Sequence, residues 1–279
     1  MRYIFSVTPG RSGQASLASL ISRCAIGVKA AFEEPQVNPV LPSFLGDFER
    51  RLRRRFLETD ELLGRGKVIE AFRNSDQEKL NKFGRDRLAW IQKNIGTNDI
   101  YFDIGKLFIR GLHEPLAKLI PDAELIFLVR DPILNMRSYV NRNKSFELDN
   151  NSPADAVNCL VMDNDLTLPE KYLWAWAEGY LRGLRLSEQH GLALPYVIKT
   201  NDLACRETMG KHFSTLKIPY KKIEVRDPIN TNIEAGHQET RLTKTDLDIF
   251  EAWCEKVPNN IWSKLFFMDN YNPREQYFE

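Results

Sequence analysis

Apolar positions along the chain alternate between strand-like runs and helix-like stripes. Residues 3–7 and 125–129 are nearly continuous apolar runs, typical of buried strands. After the first run, Leu17, Leu20, Ile21 and Cys24 have the i, i+3, i+4, i+7 spacing of a helix packed on a sheet. Further strands are predicted at 100–102 and 196–198, and further helices at 48–63, 109–120, 131–143, 169–189, 206–216 and 243–256. This alternation predicts an α/β fold with a central, mainly parallel sheet flanked by helices.

No linker or internal repeat divides the chain, so we expect one domain over residues 1–279. Residues 145–168 are polar and irregular, which predicts a surface excursion that acts as a lid or as a loop for a substrate.

The composition is that of a folded protein without a strong charge bias. The chain is 43% hydrophobic, and its 39 Lys and Arg against 38 Asp and Glu leave a net charge of +1. This balance excludes the broad basic surface of a nucleic-acid coat protein but not a local anion site. The four cysteines are widely separated and lack zinc-site spacing, which is typical of a reducing compartment. No apolar run is long enough for a membrane span, and we expect a cytoplasmic protein with no membrane or nucleic-acid partner.

The segment between the first strand and the first helix has the composition of a phosphate-binding loop. It reads Thr8-Pro-Gly-Arg-Ser-Gly-Gln-Ala-Ser16. Backbone N–H groups at a helix N-terminus are unpaired and lie at the positive end of the helix dipole. Gly10 and Gly13 allow the backbone to approach an anion, Arg11 adds a positive charge, and Ser12 and Ser16 add hydroxyl donors. The alternative is a simple glycine turn. The loop is not a Walker motif, because it contains no G-K-[ST].

A second candidate phosphate site follows the strand at 125–129. Arg130 comes at the carboxyl end of this strand, where open α/β sheets bind ligands. Ser138 lies two turns into the next helix, so both side chains can reach one phosphate. The alternative is that Asp131 caps this helix while Arg130 forms a surface ion pair.

The two motifs together resemble the sulfotransferase family. The residues that carry the resemblance are T-P-G-R-S-G at 8–13 and R-D-P with a serine at 130–138. The stretch 121–132, the Phe32-Glu-Glu-Pro35 sequence and residues 196–203 are similar to further family landmarks in the same order. The resemblance implies a P-loop NTPase-like sulfotransferase architecture. It also implies transfer of a sulfuryl group from 3'-phosphoadenosine 5'-phosphosulfate to a hydroxyl or amine of a small molecule or carbohydrate.

The resemblance also implies which residues bind this donor. Residues 9–16 (Pro9, Gly10, Arg11, Ser12, Gly13, Gln14, Ala15 and Ser16) would hold the 5'-phosphosulfate, and Arg130 with Ser138 the 3'-phosphate. Gln14 and Ala15 stand where the family commonly has threonines, so one hydroxyl contact would pass to the Gln14 amide or to Ser16. The R-K-G-x-x-G loop of the cytosolic animal enzymes is absent, and Arg241 is its weak substitute.

Sulfuryl transfer requires positioning, positive charge on the leaving oxygen and a base for the acceptor proton. Arg11 is the candidate for the positive charge. Glu34, its neighbour Glu33, Asp103 and Lys106 are the candidate bases, and Lys106 stands where some relatives have histidine. A lysine acts as a base only when its pKa is lowered; otherwise it assists as a cation. We expect no metal ion, and the sequence leaves open whether the protein is a homodimer.

Two further features are ambiguous. Five arginines at 50–55 predict a solvated helix, with a site for an anionic acceptor as the second interpretation. Trp174 and Trp176 point to different sides of a helix, so we expect one in the core and one in an acceptor pocket. The rival functions are a nucleotide-dependent kinase of related fold, a non-catalytic nucleotide-binding module and, more distantly, a nucleic-acid binder.

Overall fold

A five-stranded, all-parallel sheet forms the centre of the protein, with strand order β2-β3-β1-β4-β5. The computed structural model describes residues 1–36, 40, 43–57, 59–142, 145–148, 150–226, 241–258, 260–268 and 271–278. The strands are β1 (Arg2–Val7), β2 (Val28–Ala31), β3 (Ile100–Asp103), β4 (Glu124–Val129) and β5 (Tyr196–Lys199). The predicted α/β class and parallel sheet are therefore confirmed.

Helices cover both faces of this sheet. They are α1 (Gln14–Cys24), α2 (Ser43–Phe56), α3 (Thr59–Leu63), α4 (Lys67–Arg73), α5 (Gln77–Asn94), α6 (His113–Leu119), α7 (Pro132–Val140), α8 (Leu168–His190), α9 (Arg206–Thr215), α10 (Lys244–Lys256), α11 (Asn260–Lys264) and α12 (Pro273–Phe278). Short 3-10 turns lie at Phe108–Arg110, Phe146–Leu148, Thr200–Ala204 and Phe266–Met268.

Two apolar layers, one on each face of the sheet, form the core. Successive side chains of a strand point to opposite faces, so Phe127 of β4 packs with α8 while Ile126 and Leu128 pack with α1 and α9. The close fit of α8 depends on Gly183, where a Cβ atom would lie 2.6 Å from the Phe127 ring. As predicted, β4 is an inner strand buried on both faces.

Two predicted helices differ from the structure. The segment 48–63 is two helices, α2 and α3, rather than one. The stretch 109–120 begins with a 3-10 turn, and its α-helix starts only at His113. Helices α4 and α5 were not predicted.

The polar segment 145–168 is an excursion that is held against α8 by hydrogen bonds. Glu178 accepts hydrogen bonds from the backbone N–H groups of Cys159 and Leu160, and Arg182 donates to the Asn158 side chain at 2.8 Å. Whether this segment acts as a lid or an acceptor loop stays a prediction. Within the described part of the chain, no helix combines the length and apolar character needed to span a membrane.

Candidate anion-binding site

The two predicted phosphate motifs meet at one edge of the sheet. The connection after β1 leads toward β2 on one side of the sheet, and the connection after β4 leads toward β5 on the other. Neighbouring parallel strands whose connections diverge leave a crevice at their carboxyl ends, where open α/β folds bind ligands. The loop 8–13 and Arg130 lie at this crevice, because β1 and β4 are paired.

The loop between β1 and α1 has a backbone that curls around a small space. Gly10, Arg11 and Gly13 have positive φ angles of 95°, 58° and 83°. Such left-handed residues between ordinary ones turn successive N–H groups toward a common point, which is an anion-binding arrangement. A Cβ atom on Gly10 would lie only 2.1 Å from the hydroxyl oxygen of Tyr139, so glycine is required there.

Side chains from other elements hold four consecutive carbonyl groups of this loop. The Pro9 carbonyl accepts hydrogen bonds from Tyr139 Oη at 2.7 Å and from Arg110 Nη2 at 3.1 Å. The Gly10 carbonyl accepts from Asn135 Nδ2 at 2.7 Å. The Arg11 carbonyl accepts from Arg130 Nη1 at 2.8 Å, and the Ser12 carbonyl accepts from Thr200 Oγ1 at 3.0 Å. The Gly10 N–H is also engaged, since it donates to Thr8 Oγ1 at 3.3 Å. The groups that the loop leaves for a ligand are therefore N–H donors after Gly10 rather than carbonyl oxygen atoms.

Several donors at the start of α1 lack a partner within the described part of the chain. The backbone N–H groups of Ser12, Gly13 and Gln14 donate to none of the described residues. The Gln14 side chain is 7% exposed, and its Nε2 atom is buried without a hydrogen bond to any of them. The N–H groups of a helix's first turn bind anions, and a buried donor such as Gln14 Nε2 is costly without an acceptor, so these donors suit an acceptor-rich ligand.

Positive charge is concentrated beside these donors. Arg11 Nε donates to Ser138 Oγ at 3.3 Å, which joins the two predicted motifs directly. The pKa of Arg11 is lowered to about 10, mainly by burial and then by the charges of Arg142 and Arg130. Burial also lowers the pKa of Arg130. These guanidinium groups remain charged at neutral pH, and a bound anion would relieve their mutual repulsion.

Asp131 caps α7 and leaves Arg130 available to a ligand. Its Oδ1 atom accepts from the Leu134 backbone N–H at 2.9 Å, and its Oδ2 atom accepts from the Tyr271 hydroxyl at 2.5 Å. Within the described ranges, Asp131 and Arg130 form no ion pair. The cap in the alternative interpretation is therefore confirmed, and its surface ion pair is wrong.

Two of the candidate bases already hold cations. Arg87 Nη2 donates to Asp103 Oδ2 at 2.6 Å in a pair that is almost fully buried, and Lys29 Nζ lies 3.0 Å from Glu34. Glu33 is different: it forms no hydrogen bond or ion pair with a described residue, and its φ is +47°. Its charge acts on Arg11, raising the pKa of that guanidinium. Glu33 also lines one narrow cleft with Glu34 and Asp103.

Of the other predicted site residues, Lys106 lies next to the glycine loop. The Lys106 side chain crosses Gly10, because a Cβ atom there would lie 2.9 Å from Lys106 Cδ. Ser16 is on the first turn of α1, and Ala15 lines an open groove on the outer side of that helix. Arg241 is exposed, two residues before the Thr243 cap of α10. Its closure over a phosphate stays a prediction.

The prediction for one of the tryptophans is wrong. Trp174 and Trp176 are both buried, at 1% and 0% exposure. Trp174 Nε1 donates to the Leu160 carbonyl at 2.7 Å, and Trp176 Nε1 donates to the Arg130 carbonyl at 2.9 Å. Neither tryptophan lines an acceptor pocket. Trp174 is covered by the segment before α8, and Trp176 is covered by the end of β4.

Sequence reasoning missed the residues that hold the loop. On α7, Asn135 and Tyr139 share the helix face of Ser138, at the i, i+3, i+4 spacing. This polar stripe on a helix after an inner strand was a readable signal. Thr200 follows the carboxyl end of β5 and was a second signal. Arg110 had no local signal, because its partner is 101 residues away.

Among the described residues, no group of three or more His, Cys, Asp or Glu side chains is arranged to hold a metal ion. The prediction of metal-free chemistry stays a prediction. A scan of the chain against protein-family models finds no match, and a search of curated proteins finds none.

Proposed function

We propose that this protein is a sulfotransferase of P-loop NTPase-like architecture that uses 3'-phosphoadenosine 5'-phosphosulfate as its donor. The observation that carries the proposal is the loop after β1, in which side chains hold the carbonyl groups of residues 9–12 while the N–H groups of Ser12, Gly13 and Gln14 donate to none of the described residues. Arg130 and Ser138 supply a second set of donors beside it. Two adjacent donor sets fit a ligand with phosphates at both ends of one nucleoside.

Different residues of the chain would stabilise the leaving group and accept the proton during sulfuryl transfer. When bound, the donor supplies the sulfuryl group: the acceptor oxygen forms a new S–O bond, the S–O bond to the 5'-phosphate breaks, and the acceptor proton goes to a base. Arg11 and the loop N–H groups stabilise the charge on the leaving phosphate. Lys106 lies across Gly10, where a cation assists the same oxygen atoms.

Glu33 is the base that the contacts favour. Glu34 is held by Lys29, and Asp103 is held by Arg87 and Tyr101. Glu33 is close enough to the loop to act on Arg11 and has no competing partner among the described residues. Its positive φ is a backbone strain of the kind found at functional positions. The four cysteines are free thiols, which supports a reducing compartment such as the cytoplasm.

Calorimetric titration and a transfer assay test the proposal. We expect 3'-phosphoadenosine 5'-phosphate to bind more tightly than ATP, without magnesium, and labelled sulfuryl to pass from the donor to members of an acceptor panel. Tighter, magnesium-dependent binding of ATP would instead indicate a kinase. Binding of the bisphosphate without transfer to any acceptor would indicate a nucleotide-binding module.

A further inference from the structure

Helix α2 lies beside the proposed site in an unusual orientation. Its Phe48 and Phe56 side chains are 66% and 78% exposed, whereas the side chain of Arg54 is 17% exposed. A surface helix ordinarily directs its apolar face inward and its charges outward. Because burying a guanidinium is costly, the inward position of Arg54 indicates an anionic counterpart.

The described structure supplies only a weak counterpart to Arg54. Arg54 Nε lies 3.9 Å from Asp60 Oδ1, which is too long for a hydrogen bond. Both atoms are buried without a hydrogen-bond partner among the described residues, and so is Thr59 Oγ1, on a residue 8% exposed. Arg54 Nε at the end of α2 and Thr59 Oγ1 and Asp60 Oδ1 at the start of α3 therefore place donors and an acceptor side by side, as a polar ligand requires.

Further positive charge surrounds this point. Burial lowers the pKa of Arg54, and the neighbouring guanidinium groups of Arg65 and Arg50 lower it further. The backbone N–H of Arg65 donates to the Asp60 carbonyl at 2.8 Å, which keeps the end of α3 close to its start. An anionic group bound by Arg54 would therefore lie where the neighbouring positive charges also favour it.

Glu33 connects this cluster to the loop after β1. Its charge raises the pKa of both Arg11 and Arg54, so it lies within electrostatic range of each. Glu33 and Leu63 of α3 also line the same cleft. Glu33 is thus the carboxylate whose charge acts on both the loop and α2.

We propose that the α2–α3 edge, formed by Arg54, Thr59 and Asp60, binds an anionic group of the acceptor. This inference rests on the proposed function. The acceptor carries a carboxylate, sulfate or phosphate for Arg54 and a neighbouring hydroxyl for Asp60 and Thr59. Its reacting hydroxyl would then lie at Glu33, between the anionic subsite and the sulfuryl donor.

Matched pairs of neutral and anionic probes test this subsite. The pairs are glucose with glucose 6-phosphate and 4-hydroxyphenylacetamide with 4-hydroxyphenylacetate, titrated into the protein saturated with 3'-phosphoadenosine 5'-phosphate. We expect the anionic member of at least one pair to bind about tenfold more tightly, as a charge-assisted contact predicts. Arg54→Gln should remove this preference without changing the affinity for the nucleotide. Arg51→Gln, at an exposed arginine of the same helix, should retain it.

Equal binding of neutral and anionic members in both pairs overturns the inference, and so does an Arg54→Gln variant that keeps the preference. Any probe that is turned over should show the Arg54→Gln effect in KM rather than kcat. The same titrations without nucleotide separate the two proposals. If the wild-type protein does not bind the bisphosphate, the proposed function fails, while the probe preference still decides the subsite.

Discussion

The two sides of the candidate site are built differently. On the loop side, side chains from four other parts of the fold hold the carbonyl groups of residues 9–12, and the N–H groups of residues 12–14 donate to none of the described residues. On the acidic side, Asp103 and Glu34 are each held by a cation of the protein itself.

This difference separates residues that serve a ligand from residues that serve the fold. A buried hydrogen-bond donor without a partner lowers the stability of the fold, and a bound ligand that accepts from it removes this cost. Such donors are therefore expected at a binding site. Removing one partner of a buried ion pair is strongly destabilising, and a carboxylate that already holds a cation is poorly placed to accept a proton from a substrate. Glu33 is the exception on the acidic side, because it has no such pair among the described residues.

The largest expected effect is on the acidic side. Asp103→Asn should lower the free energy of unfolding by about 3–5 kcal/mol, because it leaves the buried Arg87 charge without a counter-charge. Denaturant unfolding measures this change. The matched control is Asp86→Asn, which removes an exposed pair with Lys82 at 3.0 Å and should cost less than about 1 kcal/mol. A stable Asp103→Asn protein with no transferase activity would instead indicate a catalytic Asp103.

On the loop side, Gly10→Ala should weaken binding of 3'-phosphoadenosine 5'-phosphate by roughly 3 kcal/mol, about a hundredfold. The added Cβ would displace Tyr139 and Lys106, and the φ of +95° would be strained. Calorimetry reports the affinity. Gly191→Ala is the control: its φ is also positive, at +64°, but no atom lies within 4 Å of the new Cβ. Gly191→Ala should reduce stability slightly and leave nucleotide binding unchanged. Equal losses of nucleotide affinity in both variants would contradict the role of Gly10 in the phosphate-binding loop.

The neighbouring glutamates offer a sharp comparison within the acidic side. Glu33→Gln should lower kcat by about a hundredfold, the size expected for loss of a general base, with nucleotide affinity almost unchanged. Glu34→Gln should have a much smaller effect on kcat, because Lys29 holds that carboxylate. Steady-state kinetics with any accepted acceptor decides between them, and the reverse ranking would move the base to Glu34.

Ser138→Ala should produce the smallest of these changes. It removes one hydroxyl next to Arg11 Nε, so the affinity for the bisphosphate should fall by about 1 kcal/mol. Titration with the 5'-monophosphate, which lacks the 3'-phosphate, should show almost no change. A comparable loss for both nucleotides would place Ser138 at the 5' end instead.

Much of the fold follows from local patterns. The strands at 3–7 and 125–129 and the helix stripe from Leu17 to Cys24 were readable because burial on a sheet imposes a regular spacing. The break between α2 and α3 was not readable: the arginines at 50–55 favour a helix without showing where it ends. Helix α5 has many charged residues, and only its buried side, with Leu80, Phe83 and Ile91, shows why it packs.

The site divides in the same way. Residues 8–13, Arg130 and Ser138 could be predicted because a strand, a glycine loop and a helix are adjacent in sequence. The pairs of Arg87 with Asp103 and of Arg110 with Pro9 depend on chain segments 16 and 101 residues apart. Only the fold brings them together, so the sequence alone could not distinguish Glu33 from the paired carboxylates.

The most direct test compares nucleotides that differ only in the 3'-phosphate. We expect the wild-type protein to bind 3'-phosphoadenosine 5'-phosphate more tightly than adenosine 5'-monophosphate by about 2–3 kcal/mol, the value of a charge-assisted contact. Arg130→Ala should remove most of this difference, and it should weaken binding of the monophosphate to a smaller extent because it also releases the Arg11 carbonyl. Equal affinity of the wild-type protein for the two nucleotides, or an Arg130→Ala variant that keeps the full difference, would contradict the account of a cradle for two phosphates.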